Sequence, residues 1–203
     1  MKKLFLASYF STAARLLPGF ADCVGKKAVF IPTAAVPEKI TFYVGADRKA
    51  LQKLGVTVQD LEISKLPEAE IEKAILNADF IFVSGGNTFF LLQELKRKGA
   101  DKMIINHIDQ GKLYIGSSAG SAVVSKTIEY VKHMDSTKAA PELKDYSALG
   151  ITDFCVVPHF TNFPFRKSAQ KVMKEFSNTL DLKPISNNQV ITVCGEKIET
   201  LAI

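Results

Sequence analysis

The segment Asp79–Ser84, DFIFVS, is an uninterrupted apolar run of strand length, and it constrains the fold more than any other stretch of the chain. Strands of parallel sheets are buried on both faces and are therefore apolar throughout, whereas a strand with one wet face alternates apolar and polar residues. Amphipathic helical patterns flank the run: Pro67 and the acids after it open the helix before, and Thr88–Lys98 forms the helix after. A buried strand between two helices indicates a mostly parallel sheet.

The same alternation of short apolar runs and amphipathic segments extends along the whole chain. Further strands are predicted at Leu4–Ala7, Lys27–Pro32, Val56–Leu61, Lys112–Gly116 and Phe154–Val157, with a closing hairpin at Val190–Val193 and Ile198–Leu201. Further helices are predicted before Gly55, at Ala100–Gln110, from Ala119 and at Phe165–Leu180. No linker or repeat divides the chain, so we expect one α/β domain over residues 1–203, with helices on both faces of the sheet.

The composition is that of an ordinary globular protein, with 203 residues of which 47% are hydrophobic and 23% charged. The net charge of +5 raises the question of an anionic partner, but the 26 basic residues are dispersed among 21 acids and match no nucleic-acid-binding motif. We therefore interpret the basic residues as a solvated surface and expect no nucleic-acid partner.

The N-terminal segment combines two lysines with a short apolar run, as a signal peptide does. Four polar residues soon interrupt the run, so a first β-strand followed by a polar loop explains it better: Ser8, Ser11, Thr12 and Arg15. The three cysteines are isolated and lack the spacing of a metal or redox site, which suits a reducing compartment. No stretch approaches the length of a membrane span. We expect a cytoplasmic protein with no bound metal and no membrane contact.

The stretch YIGSSAGS contains the pattern G-x-S-x-G, which is typical of a nucleophile elbow. In an elbow a strand turns sharply into a helix, and the residues two before and two after the nucleophile must be small because the chain folds against itself. Ser118 has Gly116 and Gly120 at these positions, whereas Ser117 and Ser121 lack such a pair. The motif therefore predicts Ser118 as a nucleophile; the alternative interpretation is a Gly/Ser loop that caps a helix.

A second candidate piece is SGGNT, at residues 84–88, which follows the apolar strand and opens a helix. Gly85 and Gly86 allow the backbone to approach a substrate with its N–H groups pointing into a cleft. Asn87 beside them is a candidate substrate-binding residue; alternatively, Asn87 or Thr88 caps the helix.

A serine nucleophile needs a general base, most often a histidine, and the chain has three. His107 lies in the middle of a predicted helix, where a structural role is expected. His133 lies in the charged stretch VKHMDS, a loop that could approach the site. His159 follows the strand Phe154–Val157, and active sites of α/β sheets lie at such carboxyl ends. We therefore favour His159, with a capping or core role as the alternative.

The motifs GSSAGS, SGGNTFFLL and PHFTN, in this order, resemble those of the peptidase E family of aspartyl dipeptidases, which is related to cyanophycinase. The resemblance extends from about Leu4 to the C-terminal hairpin. It implies a three-layer α/β fold similar to that of class I glutamine amidotransferases. It also implies hydrolysis of peptide bonds by a serine mechanism without metal or cofactor, with a small peptide as the binding partner.

The resemblance also implies roles for individual residues. Ser118 would be the nucleophile and His159 the general base. The backbone N–H groups of Ala119, Gly85 and Gly86 would form the oxyanion hole.

The carboxylate that usually orients the histidine is harder to place. The family carries an acid at one of two places, and the first is an Asp shortly after the nucleophile. An ungapped count from Ser118 reaches His133 there, so Asp135 fits only if the loop shifts. The second is a Glu near the C-terminus, where this chain has amides and Asn187 could hold the imidazole by a hydrogen bond. Asp135 is the favoured choice and Asn187 the alternative.

The prediction of substrate specificity depends on one cationic residue. Aspartyl dipeptidases bind an acidic N-terminal residue, and Arg166, shortly after PHFTN, could pair with such a carboxylate. Its alternative role is the solvated first turn of the next helix. Two other functions stay open: an esterase or amidase acting on a small metabolite, and a non-catalytic member of the family.

Overall fold

In the computed structural model, which describes residues 1–203, short strands alternate with helices. The strands are β1 (Lys3–Ala7), β2 (Lys27–Ile31), β3 (Thr57–Asp60), β4 (Phe80–Val83), β5 (Leu113–Ser117), β6 (Cys155–Val157), β7 (Leu182–Pro184), β8 (Gln189–Cys194) and β9 (Lys197–Ala202). The helices are α1 (Phe10–Ala13), α2 (Phe42–Lys53), α3 (Glu68–Leu76), α4 (Thr88–Arg97), α5 (Ala100–Asp109), α6 (Ala119–Ala122) and α7 (Arg166–Phe176). None of these helices combines the length and the apolar composition needed to cross a bilayer.

The central sheet has seven strands in the order β3-β2-β4-β5-β1-β8-β9. The first five run parallel, and β8 and β9 add an antiparallel hairpin beside β1. The prediction of a mostly parallel α/β sheet is therefore confirmed. Because β5 lies between β4 and β1, the residues that follow all three strands meet at one edge of the sheet.

Successive residues of β1 contribute to two different cores, because side chains alternate across a strand. Leu4 and Leu6 pack into the larger core, which α3 to α7 cover. Phe5 and Ala7 pack into the smaller core, which α1 and α2 cover. The helices thus form a layer on each face of the sheet, as the sequence predicts.

Two features differ from the sequence predictions. The predicted strand at Phe154–Val157 exists as β6, but it pairs in parallel with β7 in a separate two-stranded sheet. The sequence did not reveal β7, because none of its three residues is fully buried and they include a lysine and a proline. The pairing matters for the site, because it brings the segments that follow β6 and β7 to the same end.

Candidate active site

The turn between β5 and α6 is built as an elbow. Ser118 stands alone between the two elements with φ 51° and ψ −106°, a conformation that non-glycine residues rarely adopt and that marks a strained site. A Cβ on Gly116 would lie 2.5 Å from the carbonyl oxygen of Gly120, and a Cβ on Gly120 would lie 2.1 Å from that of Val83. Only glycine fits at either position, which is the physical basis of the sequence motif.

Only one of the three serines in the elbow is available for chemistry. The Ser117 hydroxyl is buried and accepts the N–H of Phe10 at 3.2 Å. The Ser121 hydroxyl is also buried and donates to the carbonyl of Ala7 at 2.7 Å. Ser118 is partly exposed at the tip of the turn.

His159 faces this serine, with its Nε2 atom 2.9 Å from the Oγ of Ser118. It follows β6 with φ 58°, a left-handed conformation, and the ring of Phe165 stacks on its imidazole with centroids 4.9 Å apart. Burial lowers the pKa of His159, while the hydrogen bond with Asn187 acts in the opposite direction. The lowered pKa favours the neutral imidazole, the form in which a histidine can accept a proton.

The side chain behind the imidazole belongs to Asn187, which follows β7. Its Oδ1 lies 2.5 Å from the Nδ1 of His159, and its backbone N–H donates to the Oδ1 of Asn162 at 2.8 Å. Asn187, the alternative choice for the orienting position, is thus the residue that lies behind the imidazole of His159.

Ser8 completes this group, and the sequence analysis did not single it out. Its hydroxyl accepts the backbone N–H of His159 at 2.8 Å and lies 3.1 Å from the Oδ1 of Asn187 and 3.3 Å from the Nδ1 of His159. The side chain is fully buried. The one signal in the sequence is that Ser8 is the first polar residue beyond β1, at the edge where the other site residues lie.

The structure does not bring Asp135, the favoured orienting acid, to His159. Its carboxylate accepts the backbone N–H of Thr88 at 2.8 Å and the hydroxyl of Thr88 at 2.5 Å. The 3₁₀ turns at Glu129–His133 and Thr137–Ala139 direct this loop towards the start of α4, where free N–H groups and the helix dipole favour a carboxylate. Burial nevertheless raises the pKa of Asp135 to about 6.

Asn87, which the sequence predicts to bind substrate, makes its contacts within the fold. Asn87 is the N-cap of α4: its Oδ1 accepts the N–H of Phe90 at 3.0 Å, and its Nδ2 donates to the carbonyl of Ser136 at 3.0 Å. The side chain is buried. Both ends of the amide are therefore engaged, and the capping alternative describes this residue.

Of the three predicted oxyanion donors, Gly85 packs against the nucleophile and Ala119 follows it directly in the chain. A Cβ on Gly85 would lie 3.2 Å from that of Ser118, so the glycine lets the two chains touch. Gly86 has φ 136°, and a Cβ there would lie 2.2 Å from the carbonyl oxygen of Ala34. Neither glycine N–H donates to another backbone group, and that of Ala119 is free because it opens α6. The backbone N–H groups of Gly85, Gly86 and Ala119 are thus not used in backbone hydrogen bonds.

Two further charged residues are Arg166, which follows the PHFTN motif, and Asp47, which lies beside Ser117. Arg166 is exposed at the first position of α7 and forms no ion pair. Asp47 of α2 is buried close to the elbow, where one carboxyl oxygen accepts the N–H of Ser11 at 2.8 Å and the other has no partner within hydrogen-bond distance. Burial raises the pKa of Asp47 to about 7, although a contact with Ser117 opposes the shift. Sequence reasoning did not find Asp47, because an acid within an amphipathic helix gives no sign of being buried.

The chain matches a known protein family along almost its whole length. The family model of Peptidase family S51 matches residues 4–201. The chain belongs to this family. Membership makes it a peptidase, and therefore a hydrolase, of the serine type. It also confirms the resemblance to peptidase E, since proteins named Peptidase E are among the relatives, one from Shewanella amazonensis being 34% identical over 66% of this chain and 54% of its own length.

Relatives of similar length are closer to this S51 member. An uncharacterized peptidase of Listeria innocua is 47% identical over 98% of this chain and 96% of its own length. A crystal structure of a protein assigned as a peptidase E from Listeria monocytogenes has a TM-score of 0.96 at 46% identity, covering 100% of this chain and 99% of the other. A peptidase from an acI-B1 Actinobacterium has the same fold, with a TM-score of 0.73 at 21% identity over 100% of this chain and 88% of its own.

Proposed function

We propose that the protein hydrolyses short peptides through an acyl-enzyme on Ser118, with His159 as the general base and Asn187 as the residue that orients it. The observation that carries this proposal is the 2.9 Å contact between the Ser118 Oγ and the His159 Nε2 at the tip of a strained elbow. Nucleophile, base and orienting group are thereby in line, which is the arrangement that activates a serine for acyl transfer.

The reaction follows from this geometry. His159 Nε2 takes the proton of the Ser118 hydroxyl as Oγ attacks the carbonyl carbon of the scissile bond. The negative charge on the carbonyl oxygen is stabilised by the N–H groups of Ala119 and of the Gly85–Gly86 turn. Nε2 then gives the proton to the leaving amine, and a water molecule activated by the same nitrogen releases the acid product from Ser118.

An amide in the orienting position changes the energetics of the base. The Asn187 oxygen can accept the Nδ1–H of His159 and so fix the ring, but it carries no charge to stabilise the imidazolium that forms in the transition state. We therefore expect His159 to titrate below the usual range of a histidine paired with a carboxylate, and activity to extend further towards acid pH than in an enzyme with an Asp or Glu there.

For the substrate we propose dipeptides and other short peptides, including those with an N-terminal aspartate. The support is Arg166, an exposed guanidinium without an ion-pair partner, five residues after Thr161 of the PHFTN motif. A guanidinium can pair bidentately with a substrate carboxylate. Arg166→Ala should then raise KM for acidic dipeptides and leave neutral dipeptides unaffected.

The test is hydrolysis of a panel of dipeptides with acidic and neutral first residues, beside simple esters. Ser118→Ala and His159→Ala should each lower kcat by at least about 10³-fold with unchanged thermal stability. Wild-type turnover by Ser118→Ala would refute the mechanism. If the protein hydrolyses esters but no dipeptide, the substrate is a small-metabolite ester and not a peptide.

A further inference from the structure

An asparagine behind a catalytic histidine can adopt two orientations that are not equivalent, whereas a carboxylate presents an oxygen in either one. Its amide can present either the oxygen or the N–H₂ group to the ring. When the N–H₂ group faces Nδ1, the proton of the neutral ring moves to Nε2, which can then no longer accept the proton of the nucleophile. Replacement of the acid by Asn in a serine protease triad keeps the geometry but lowers kcat about 10⁴-fold for this reason.

Ser8 is placed to remove this ambiguity. Its oxygen already accepts the backbone N–H of His159 at 2.8 Å, so its hydroxyl hydrogen points away from that N–H. The Asn187 Oδ1 atom lies 3.1 Å from the Ser8 Oγ and the His159 Nδ1 atom lies 3.3 Å from it. The hydroxyl hydrogen is therefore directed at the atoms that decide which nitrogen of the ring is protonated.

The count of donors and acceptors favours one arrangement. With its oxygen towards the ring, Asn187 offers two lone pairs, which accept both the Nδ1–H of His159 and the hydroxyl of Ser8. With the amide reversed, its N–H₂ group and the Ser8 hydroxyl would compete for the single lone pair of Nδ1. Because Ser8 is fully buried, water does not replace the missing partner.

We propose that Ser8 is a positioning residue that holds the Asn187 oxygen towards His159 and thereby keeps Nδ1 protonated and Nε2 free to act as the base. The kinetic part of this inference rests on the proposed function. The tautomer itself is a property of the folded protein and can be measured without any substrate.

The first experiment is a double-mutant cycle that uses the symmetry of a carboxylate. In the wild-type background, Ser8→Ala should lower kcat about tenfold, which corresponds to the free energy of one hydrogen bond. In the Asn187→Asp background the same substitution should cost less than about twofold, because both carboxylate oxygens are acceptors and no reversal is possible. An equal cost in both backgrounds, or none in the wild type, would overturn the proposal, since mere support of the His159 backbone N–H does not depend on residue 187.

The matched control is Ser125→Ala. Ser125 is also a fully buried serine, and its hydroxyl contacts the carbonyls of Ala122 and Thr127 without touching His159. It should lower thermal stability by a similar amount and leave kcat unchanged. A loss of kcat like that of Ser8→Ala would mean that any buried serine has this effect.

The second experiment reads the tautomer directly by ¹⁵N NMR of histidine-labelled protein at pH 8. The His159 signals are assigned by their absence in His159→Ala. Wild type should show the hydrogen on Nδ1, and Ser8→Ala should show a mixture of both tautomers. An unchanged Nδ1–H form in Ser8→Ala would overturn the role of Ser8, whereas the expected mixture in a protein without peptidase activity would leave that role standing and refute the proposed function alone.

Discussion

Two polar clusters lie at the carboxyl edge of the sheet, and they use their groups in opposite ways. The base cluster surrounds the imidazole and consists of Ser8, Ser118, His159 and Asn187. The anchor cluster joins a loop to the start of α4 and consists of Asn87, Thr88, Asp135 and Ser136. The carboxylate lies in the anchor cluster, whereas the group behind the base is neutral.

The difference shows that position, more than charge, decides which side chain lies behind the imidazole. Asp135 makes its hydrogen bonds to the backbone and hydroxyl of one helix start, which is the pattern of a structural cap. Asn187 contacts a side chain from another segment, and the chain of contacts ends at the partly exposed Ser118. The parallel pairing of β6 with β7 accounts for this, because it places the residues after the two strands side by side.

The largest expected effect separates the clusters by activity. Asn187→Ala removes the oxygen behind His159, so kcat/KM should fall about 10²- to 10³-fold, while the melting temperature changes little because the side chain is only partly buried. Steady-state kinetics and a thermal melt measure both. Full activity in Asn187→Ala would show that the base cluster is not needed for activity and would contradict the distinction between the two clusters.

A second carboxyl at the same edge extends the comparison. Asp47 is buried with one N–H donor, and its pKa is raised to about 7, so the folded protein binds its proton more tightly than the unfolded chain does. This contribution to stability is full below about pH 4 and is lost as the pH rises to about 7. The unfolding free energy of Asp47→Asn should therefore be higher than that of the wild type by about 2 kcal/mol at pH 8 and by much less at pH 5.

Urea unfolding at the two pH values gives the difference between the two proteins. Comparison of variant with wild type at each pH cancels the opposite contribution of the buried His107, whose pKa is lowered to about 4. A pH-independent difference would mean that Asp47 is not the titrating group.

The reverse experiment on the anchor cluster should affect stability instead of rate. Asp135→Ala removes two hydrogen bonds at the start of α4, so the unfolding free energy should fall by about 1–2 kcal/mol, while kcat stays within about threefold of wild type. Thr88→Val, which removes only the hydroxyl, is the matched partial control. A loss of kcat as large as that of Asn187→Ala would give Asp135 a part in the chemistry.

The smallest expected effect concerns pH. Asn187→Asp places a charge behind the imidazole, which favours its protonated form and raises the pKa of His159. The acid limb of the pH profile of kcat/KM should therefore move upward by about one unit. No movement, or movement to lower pH, would show that residue 187 does not govern the base.

Much of this arrangement could be predicted from the sequence, for identifiable reasons. The apolar run at β4 and the glycines around Ser118 are local signals, since burial on both faces and close chain approach each restrict the residue type. His159 was found because it follows a recognisable strand. Asn187 and Ser8 depend on contacts between distant segments, and β7 gave no apolar pattern from which the first of these contacts could be inferred.

The central claim is that Ser118 is activated by His159, and covalent trapping tests it most directly. A fluorophosphonate should modify the wild-type protein once, peptide mapping should place the adduct on Ser118, and His159→Ala should react at least about 10²-fold more slowly. An adduct on another serine, or equal rates of labelling in the wild type and His159→Ala, would contradict the account.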